Sequence, residues 1–275
     1  MERTNTIASN DRTVEFPRAQ RDARVAAFSQ HDAMVPQENE YTDTITFRSP
    51  VVDVDTQWLQ DHRVLLPGAG GAAGGAYKML RAQVLRRLDQ MNTNALAVIS
   101  PGSGDGKTLT AINLAVAIAS ESARTVLLVD FDLRNPGVAK RLNVTSGLGV
   151  EQTLQENRAV QEAMIKLKGY DRLTILPALS RVENSSELLS TQTIAGLTTE
   201  LRSRYTNRVL IFDLPPVLLA DDALVFSKHV PAALMVINEG LTRREDVLRA
   251  MQLMQDTKII GTVLTASREQ QHQYY

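Results

Sequence analysis

The stretch Leu96–Thr108, which reads LAVISPGSGDGKT, decides the fold class of this chain. It combines a short apolar run, a glycine-rich turn and a Gly-Lys-Thr triplet, and the residues that follow (Leu109, Ile112 and Val116) repeat with helical spacing. Glycines in such a turn let successive backbone N–H groups face an anion at the positive end of the following helix. The stretch therefore predicts a P-loop, a phosphate-binding turn between a strand and a helix.

The residues of this turn form the predicted phosphate site. The strict P-loop pattern has glycine at position 101, where this chain has Pro101, so the match is to a variant form. A glycine-rich turn without a ligand is the alternative, but packing gives no reason for the Gly-Lys-Thr triplet. We expect the lysine to reach the β- and γ-phosphates and the threonine hydroxyl to ligate Mg²⁺. The predicted phosphate-binding residues are Gly102, Ser103, Gly104, Asp105, Gly106, Lys107 and Thr108.

The chain around this turn alternates apolar runs with segments of helical period. The runs show no polar alternation, which is typical of strands buried on both faces. Thr242 with Glu245 resembles a capping box, and Asn184 with Glu187 gives a similar helix-start signal. We therefore predict an α/β fold with a doubly wound, mostly parallel sheet and helices on both faces. The predicted strands are Leu96–Ile99, Val126–Val129, Leu173–Leu176, Val209–Phe212, Ala232–Ile237 and Ile259–Leu264.

Carboxylates follow two of these predicted strands. Asp130 and Asp132 lie in VLLVDFDLRNP (residues 126–136), and Asp213 ends the apolar run of VLIFDLPP (residues 209–216). In parallel α/β sheets, ligands bind outside the carboxyl ends of the strands. A single aspartate there is more often a helix cap, but three of them in one fold with a P-loop favour a shared Mg²⁺, because isolated buried carboxylates are costly.

Composition excludes several function classes. The chain has 275 residues, a formal net charge of −1 and no cysteine, so disulfides, thiolate zinc sites and cysteine nucleophiles are excluded. The near-neutral charge predicts no nucleic-acid partner. The first residues lack the apolar region of a signal peptide, and no run approaches the ~18 apolar residues of a spanning helix, so we expect a cytoplasmic protein.

The chain divides into four predicted segments. Residues 1–66 carry seven arginines against eleven acidic residues and are predicted to be mostly disordered. Within them, Thr56–Leu66 is either a short docking helix or a hydrophobic patch that covers the core. Residues 67–76 (PGAGGAAGGA) hold five of the fifteen glycines and predict a flexible linker. The P-loop domain is predicted at 77–265, followed by a tail at 266–275.

Three motifs together resemble those of a known family. SPGSGDGKT, VLLVDFDLRNP and VLIFDLPP are similar to the Walker A, A′ and B motifs of the bacterial tyrosine kinases (BY-kinases), in particular the CpsD/CapB-type autokinases of capsule and exopolysaccharide synthesis. The resemblance covers roughly Tyr77–Leu264, and it includes ENSSELLS at 183–190 and Asp222. It implies a P-loop NTPase fold like that of MinD and ParA, with ATP and Mg²⁺ as cofactors.

The resemblance also implies roles for single residues. Lys107, Asp130 and Asp132 would be catalytic, with Asp130 as the candidate base for the attacking tyrosine hydroxyl. Thr108, Asp130 and Asp213 would form the metal site. Arg134 matches the Walker A′ segment, but it could equally be an ion-pair partner at the surface.

The resemblance also implies phosphoacceptor tyrosines and protein partners. BY-kinases phosphorylate a C-terminal tyrosine cluster of a neighbouring subunit, which here implies Tyr274 and Tyr275 as phosphoacceptors in a homo-oligomer; an incidental polar tail is the alternative. In the family's Glu-x-x-Arg-x-x-Arg oligomerisation motif, Gly75 replaces the glutamate. Implied partners are a membrane-anchored, Wzz-like polysaccharide co-polymerase, which would recruit the chain to the inner face of the plasma membrane, and a cognate tyrosine phosphatase.

Two other functions stay open at this point. One is an ATPase switch like MinD or ParA, although Gly102 stands where those proteins have their signature lysine. The other is a non-catalytic ATP-binding regulator of a polysaccharide export complex. Thr265 and Ala266 replace the Asn-Lys pair that usually ends the family's last strand, so we expect altered contacts to the adenine base.

Overall fold

A computed structural model describes residues 49–267 apart from 122, 146, 205 and 206, and apart from the side chains of 121 and 204. The predictions for residues 1–48 and for Tyr274 and Tyr275 lie outside the described residues. No helix in the described part of the chain is long and apolar enough to span a membrane.

Eight strands in the described residues form one sheet, in the order β1-β4-β5-β3-β6-β2-β7-β8. All paired neighbours are parallel except β4 and β5. The six predicted strands are confirmed, and the sequence analysis missed the two shortest, β1 and β4. The strands are β1 (Val51–Val52), β2 (Ala95–Ile99), β3 (Thr125–Asp130), β4 (Ile165–Leu167), β5 (Leu173–Leu176), β6 (Arg208–Asp213), β7 (Ala232–Asn238) and β8 (Lys258–Thr265).

Helices fill most of the connections between these strands. In the described ranges they are α1 (Thr56–Asp61), α2 (Gly71–Gln90), α3 (Lys107–Glu121), α4 (Val138–Arg141), α5 (Val150–Gln155), α6 (Ser185–Leu189), α7 (Gln192–Arg204), α8 (Asp222–Ser227) and α9 (Arg244–Leu253). A short 3₁₀ turn covers Val160–Glu162.

Both faces of the sheet are covered. Every residue of β2 and β6 is buried, and successive side chains of a strand point to opposite faces. On one face, apolar residues of α2 and α3 pack in the same core cluster as alternate residues of these strands. Phe212 of β6 meets Phe131 and Phe226 in a second cluster, with ring centroids 4.9–5.7 Å apart. The predicted doubly wound α/β architecture is confirmed.

The order of the central strands brings the motifs together. β6 lies between β2 and β3, with Asp213 opposite Val98 on one side and opposite Asp130 on the other. Because these pairs are parallel, the carboxyl ends of all three strands meet at one edge of the sheet. The turn after β2, the loop after β3 and the last residue of β6 therefore share one site.

The predicted linker at 67–76 is wrong from Gly71 onward. Helix α2 begins at Gly71 and continues to Gln90. A Cβ on the buried Gly74 would clash with the carbonyl oxygen of Ala69, so glycine there permits a close chain approach. Val84 and Leu88 bury one side of the helix, and Arg81 donates a hydrogen bond to the carbonyl of Ala117 in α3 (3.3 Å). This packing outweighs the unfavourable helix propensity of glycine.

The residues before α2 belong to the same domain, contrary to the predicted start at Tyr77. Helix α1 begins after Asp55, whose carboxylate accepts hydrogen bonds from the backbone N–H groups of Gln57 and Trp58. Leu59 is fully buried in the core, and the indole N–H of Trp58 donates to the carbonyl of Arg141 (3.2 Å). Residues 56–66 therefore contain a helix, and they also cover the core.

We expect Leu59→Ala to lower the free energy of unfolding by about 2–5 kcal/mol, because it removes a fully buried side chain and leaves a cavity. The exposed neighbour Gln60→Ala is the matched control and should leave stability nearly unchanged. Chemical denaturation of the full chain measures both variants. Equal midpoints for the two would show that α1 does not contribute to the core.

Candidate nucleotide-binding site

The P-loop adopts a backbone that requires glycine at two of its three glycine positions. Gly104 has a φ of +84° and Gly106 a φ of +90°, both in the region that side-chain-bearing residues rarely adopt. A Cβ on Gly106 would also lie 3.3 Å from the Thr265 side chain. Gly102 has no positive φ, so the conformational reason expected for glycine there does not apply.

The buried Asp105 holds the P-loop in its conformation through hydrogen bonds. Its carboxylate is 2% exposed and accepts hydrogen bonds from the Gly102 N–H (2.9 Å) and the Thr242 hydroxyl (2.7 Å). Its backbone carbonyl accepts a third bond, from the Thr265 hydroxyl (2.7 Å). The predicted capping box at Thr242 is wrong, because α9 begins only at Arg244 and the threonine hydroxyl is used to hold the P-loop.

A buried ion-pair cluster occupies the carboxyl end of the central strands. The Lys107 ammonium donates to Oδ1 of Asp213 (2.7 Å) and to Oδ2 of Asp132 (3.2 Å). The Thr108 hydroxyl donates to the other oxygen of Asp213 (2.7 Å). Lys107 and Asp132 are each 6% exposed, and Asp213 is fully buried. Four of the predicted site residues are thus brought into direct contact.

The charged groups of this cluster shift one another's pKa values. Burial lowers the pKa of Lys107, but the charges of Asp213, Asp132 and Asp130 outweigh it and hold that pKa above its ordinary value. Burial raises the pKa of Asp132, the Lys107 charge opposes the rise, and Asp213 adds to it. Lys107 therefore stays cationic, and its single charge is paired with two carboxylates, those of Asp132 and Asp213. Further positive charge at this position would stabilise the cluster.

Asp130 makes contacts that its predicted role does not require. One of its carboxylate oxygens accepts the N–H groups of Gly137 (3.1 Å) and Val138 (3.0 Å), and the other accepts the N–H of Asp132 (3.2 Å). It is fully buried, and burial together with the Asp213 charge raises its pKa well above the ordinary value. Its contacts hold the loop after β3, whereas Asp132 lines the cavity beside the P-loop.

The donor set fits Mg²⁺. The Thr108 hydroxyl and the Asp213 and Asp132 carboxylates offer the oxygen ligands that Mg²⁺ prefers. The described residues contain no group of three or more His, Cys, Asp or Glu side chains placed to hold a metal. Mg²⁺ usually takes only one or two carboxylates and completes its shell with water and substrate phosphates, so this donor set suits a nucleotide-bound magnesium.

Two cavities border the P-loop glycines 104 and 106. The smaller, about 400 Å³, is lined by the P-loop, Asp132, the loop after β3 and Arg181. The larger, about 860 Å³, is lined on one side by Asn238, Thr265 and Ala266. Their sizes and linings suit, respectively, the phosphates and the base of a nucleotide.

Arg134 forms an ion pair at the rim of the smaller cavity. Its Nε donates to Asp222 (2.8 Å) and its Nη2 to Asp221 (3.0 Å). Of the two roles left open for this arginine, the structure shows the ion pair, although Asp222 itself is fully buried rather than at the surface. The pair joins the loop after β3 to the start of α8.

Three residues of the site were not predicted from the sequence: Thr242, Arg141 and Arg181. Thr242 and Arg181 lie in loops that follow β7 and β5, so their place after a strand was an available signal. Arg141 ends α4, which no sequence pattern predicted.

The sequence-family model of the CobQ/CobB/MinD/ParA nucleotide binding domain matches residues 96–274 of this chain. The chain belongs to this family. The tyrosine-protein kinase YwqD of Bacillus subtilis (strain 168) is 26% identical over 201 residues, which cover 72% of this chain and 83% of that protein. The crystal structure of the chimerical protein CapA2B2 is 26% identical, has a TM-score of 0.66, and covers 79% of this chain and 94% of its own.

A longer relative is the succinoglycan biosynthesis transport protein ExoP of Rhizobium meliloti (strain 1021). It is 29% identical over 186 residues, which cover 64% of this chain. This chain spans 23% of the length of ExoP.

We expect Asp105→Ala to destabilise the protein by about 1–3 kcal/mol, because it leaves the Gly102 N–H and the Thr242 hydroxyl without their acceptor. It should also weaken binding of MgADP. Thr242→Val is the comparison: it removes the Thr242 bond to Asp105 and the bond that the Thr242 hydroxyl accepts from the Asn238 N–H (2.9 Å). It keeps the Gly102 bond, so its effect on MgADP binding should be smaller. Thermal unfolding and calorimetry measure both quantities, and wild-type values for Asp105→Ala would contradict a fastening role.

Proposed function

We propose that this chain is an ATP-dependent protein-tyrosine kinase of the bacterial type that regulates exopolysaccharide or capsule synthesis and export. The observation that carries the proposal is the buried cluster of Lys107, Thr108, Asp132 and Asp213 beside the P-loop cavity. Likeness to the tyrosine-protein kinase YwqD supports the kinase activity, and likeness to ExoP supports the polysaccharide context.

The residues of the site have distinct tasks in this proposal. The P-loop N–H groups and the Lys107 ammonium bind the phosphates of ATP and hold the γ-phosphoryl group in line for attack. Thr108 and Asp213 would hold Mg²⁺, which supplies charge neutralisation on the phosphates when bound. The bond from the γ-phosphorus to the ADP oxygen breaks as a bond to the tyrosine oxygen forms.

The tyrosine proton needs an acceptor in the cavity. We assign this task to Asp132, because its carboxylate lines the cavity and lies 3.2 Å from the Lys107 ammonium. Asp130, the base implied by the family resemblance, would instead hold the loop that carries Asp132, through its three bonds to backbone N–H groups. Replacing either one would therefore impair catalysis for a different reason.

The acceptors we propose are Tyr274 and Tyr275. Strand β8 ends at Thr265, whose hydroxyl is bonded to the P-loop, so the chain leaves the domain beside the site. The segment from Thr265 to Tyr274 can span at most ~30 Å when extended. That reach is long enough for a neighbouring subunit in a homo-oligomer, the phosphorylation in trans that we propose, and it is also long enough for the chain's own site.

The partners follow from the same proposal. A membrane-anchored, Wzz-like polysaccharide co-polymerase would recruit the chain to the inner face of the plasma membrane and activate it. A tyrosine phosphatase would reset it. Two phosphates on the tail would add about −3 to −4 charge, enough to loosen a subunit contact through repulsion.

One observation favours a second candidate. The matched family includes MinD and ParA, which supports an ATPase switch with water as the acceptor. The signature lysine position of those proteins is Gly102 here, which argues for the kinase.

We expect incubation of the purified chain with MgATP and its membrane partner to produce phosphotyrosine at Tyr274 and Tyr275. Lys107→Met should abolish the label, because it removes the ammonium that binds the phosphates, and Tyr274→Phe with Tyr275→Phe should remove the label while keeping nucleotide affinity. Mass spectrometry locates the phosphate. Phosphate release without labelled protein would instead support the ATPase switch.

A further inference from the structure

The smaller cavity holds more positive charge than the proposed function has used. Among the described residues, its cationic lining consists of Lys107, Arg134, Arg141 and Arg181. The first two are neutralised by the carboxylates described above. Arg141 and Arg181 have no ion-pair partner in the part of the chain that the structure describes. Two arginines therefore face the cavity with their charge available to a bound anion.

The backbone that carries Arg181 is held in place by a buried carboxylate. Glu151 of α5 is 1% exposed and accepts hydrogen bonds from the N–H of Leu179 (3.2 Å), the N–H of Ser180 (2.9 Å) and the Ser180 hydroxyl (2.7 Å). On the other side, the N–H of Val182 donates to the carbonyl of Leu133 (2.9 Å). Both neighbours of Arg181 are thus fixed, one of them to the loop that carries Asp132.

This arrangement presents one exposed guanidinium to the phosphate cavity from a fixed loop. The bonds to Glu151 and Leu133 use only the backbone and a serine hydroxyl, so they leave the arginine side chain available. A guanidinium matches two oxygens of a phosphate group at once and is always charged. Fixing its backbone in advance lowers the ordering cost when the anion binds.

Arg181 is better placed than Arg141 for this task. Arg141 lines both cavities, and its carbonyl accepts the Trp58 indole N–H, so it lies at the boundary between them. Arg181 lines only the smaller cavity, together with Lys107 and Thr108.

We infer that Arg181 binds the γ-phosphate of ATP and stabilises its charge during phosphoryl transfer. The loop that is held by Glu151 and Leu133 positions this arginine. This inference rests on the proposed function of the cavity. Arg181 exchanges no proton: the bond to the ADP oxygen breaks, the bond to the acceptor oxygen forms, and the guanidinium offsets negative charge on the group in transit.

The test compares Arg181→Gln and Arg181→Lys with Arg249→Gln in the full chain. Arg249 is an exposed arginine of α9 that lines neither cavity, so its variant removes the same charge elsewhere. The probes are MgADP and the magnesium complex of a non-hydrolysable ATP analogue, measured by calorimetry, with kcat and KM for ATP measured in the same preparations.

We expect Arg181→Gln to weaken binding of the ATP analogue by about 10-fold, the loss of one charge-assisted contact, and to leave MgADP affinity unchanged. The kcat should fall by about 10- to 100-fold. Arg181→Lys should recover part of both losses, because it keeps the charge without the two-pronged geometry. Arg249→Gln should match the wild type.

An unchanged affinity for the ATP analogue and an unchanged kcat in Arg181→Gln would overturn the inference. Equal losses of affinity for MgADP and for the analogue would also overturn it, because the arginine would then not act on the γ-phosphate, which MgADP lacks. A wild-type chain that binds both nucleotides but labels no tyrosine would overturn the kinase proposal alone, since the affinity difference and ATP hydrolysis still report on Arg181. A wild type that binds neither would overturn both.

Discussion

The ion pair between Lys107 and Asp213 is the interaction on which the rest of this site depends. Both groups are buried, and a buried charge is strongly unfavourable unless it is paired and hydrogen-bonded. The pair exists because β6 lies between β2 and β3, which sets the end of β6 directly under the P-loop. The loops around it are fastened by further carboxylates, Asp105 within the P-loop and Asp130 in the loop after β3.

The balance of charge in this cluster connects the fold to its chemistry. The single charge of Lys107 is paired with the two carboxylates of Asp132 and Asp213, so these contacts leave excess negative charge at the site. In the proposed function, a magnesium ion would supply the missing charge on the carboxylate side, and the nucleotide phosphates would give Lys107 a second set of partners. The protein would then contribute mainly by positioning the reacting groups. This agrees with the hydrogen bonds of Asp105 and Asp130, which hold the loops around the site in place.

Sequence patterns predicted the parts of this structure that local chemistry determines. Five of the six apolar runs are strands with almost all of their residues buried, whereas the sixth, β8, lies at the edge of the sheet and buries only Ile260. The Gly-Lys-Thr triplet became part of a P-loop. The Gly71–Gln90 helix was missed because its glycine-rich start reads as a linker and only packing stabilises it. The role of Thr242 depends on Asp105, 137 positions away in the chain, so a local capping signal was misleading. Which Walker A′ aspartate lines the cavity depends on the path of the loop, which spacing alone does not determine.

The most direct test of this account is a crystal structure of the chain with magnesium and a non-hydrolysable ATP analogue. In this complex we expect the Lys107 ammonium to contact the β- and γ-phosphate oxygens, and Thr108 and Asp213 to face the metal. A complex in which the nucleotide lies elsewhere and Lys107 keeps both of its carboxylate partners would contradict it.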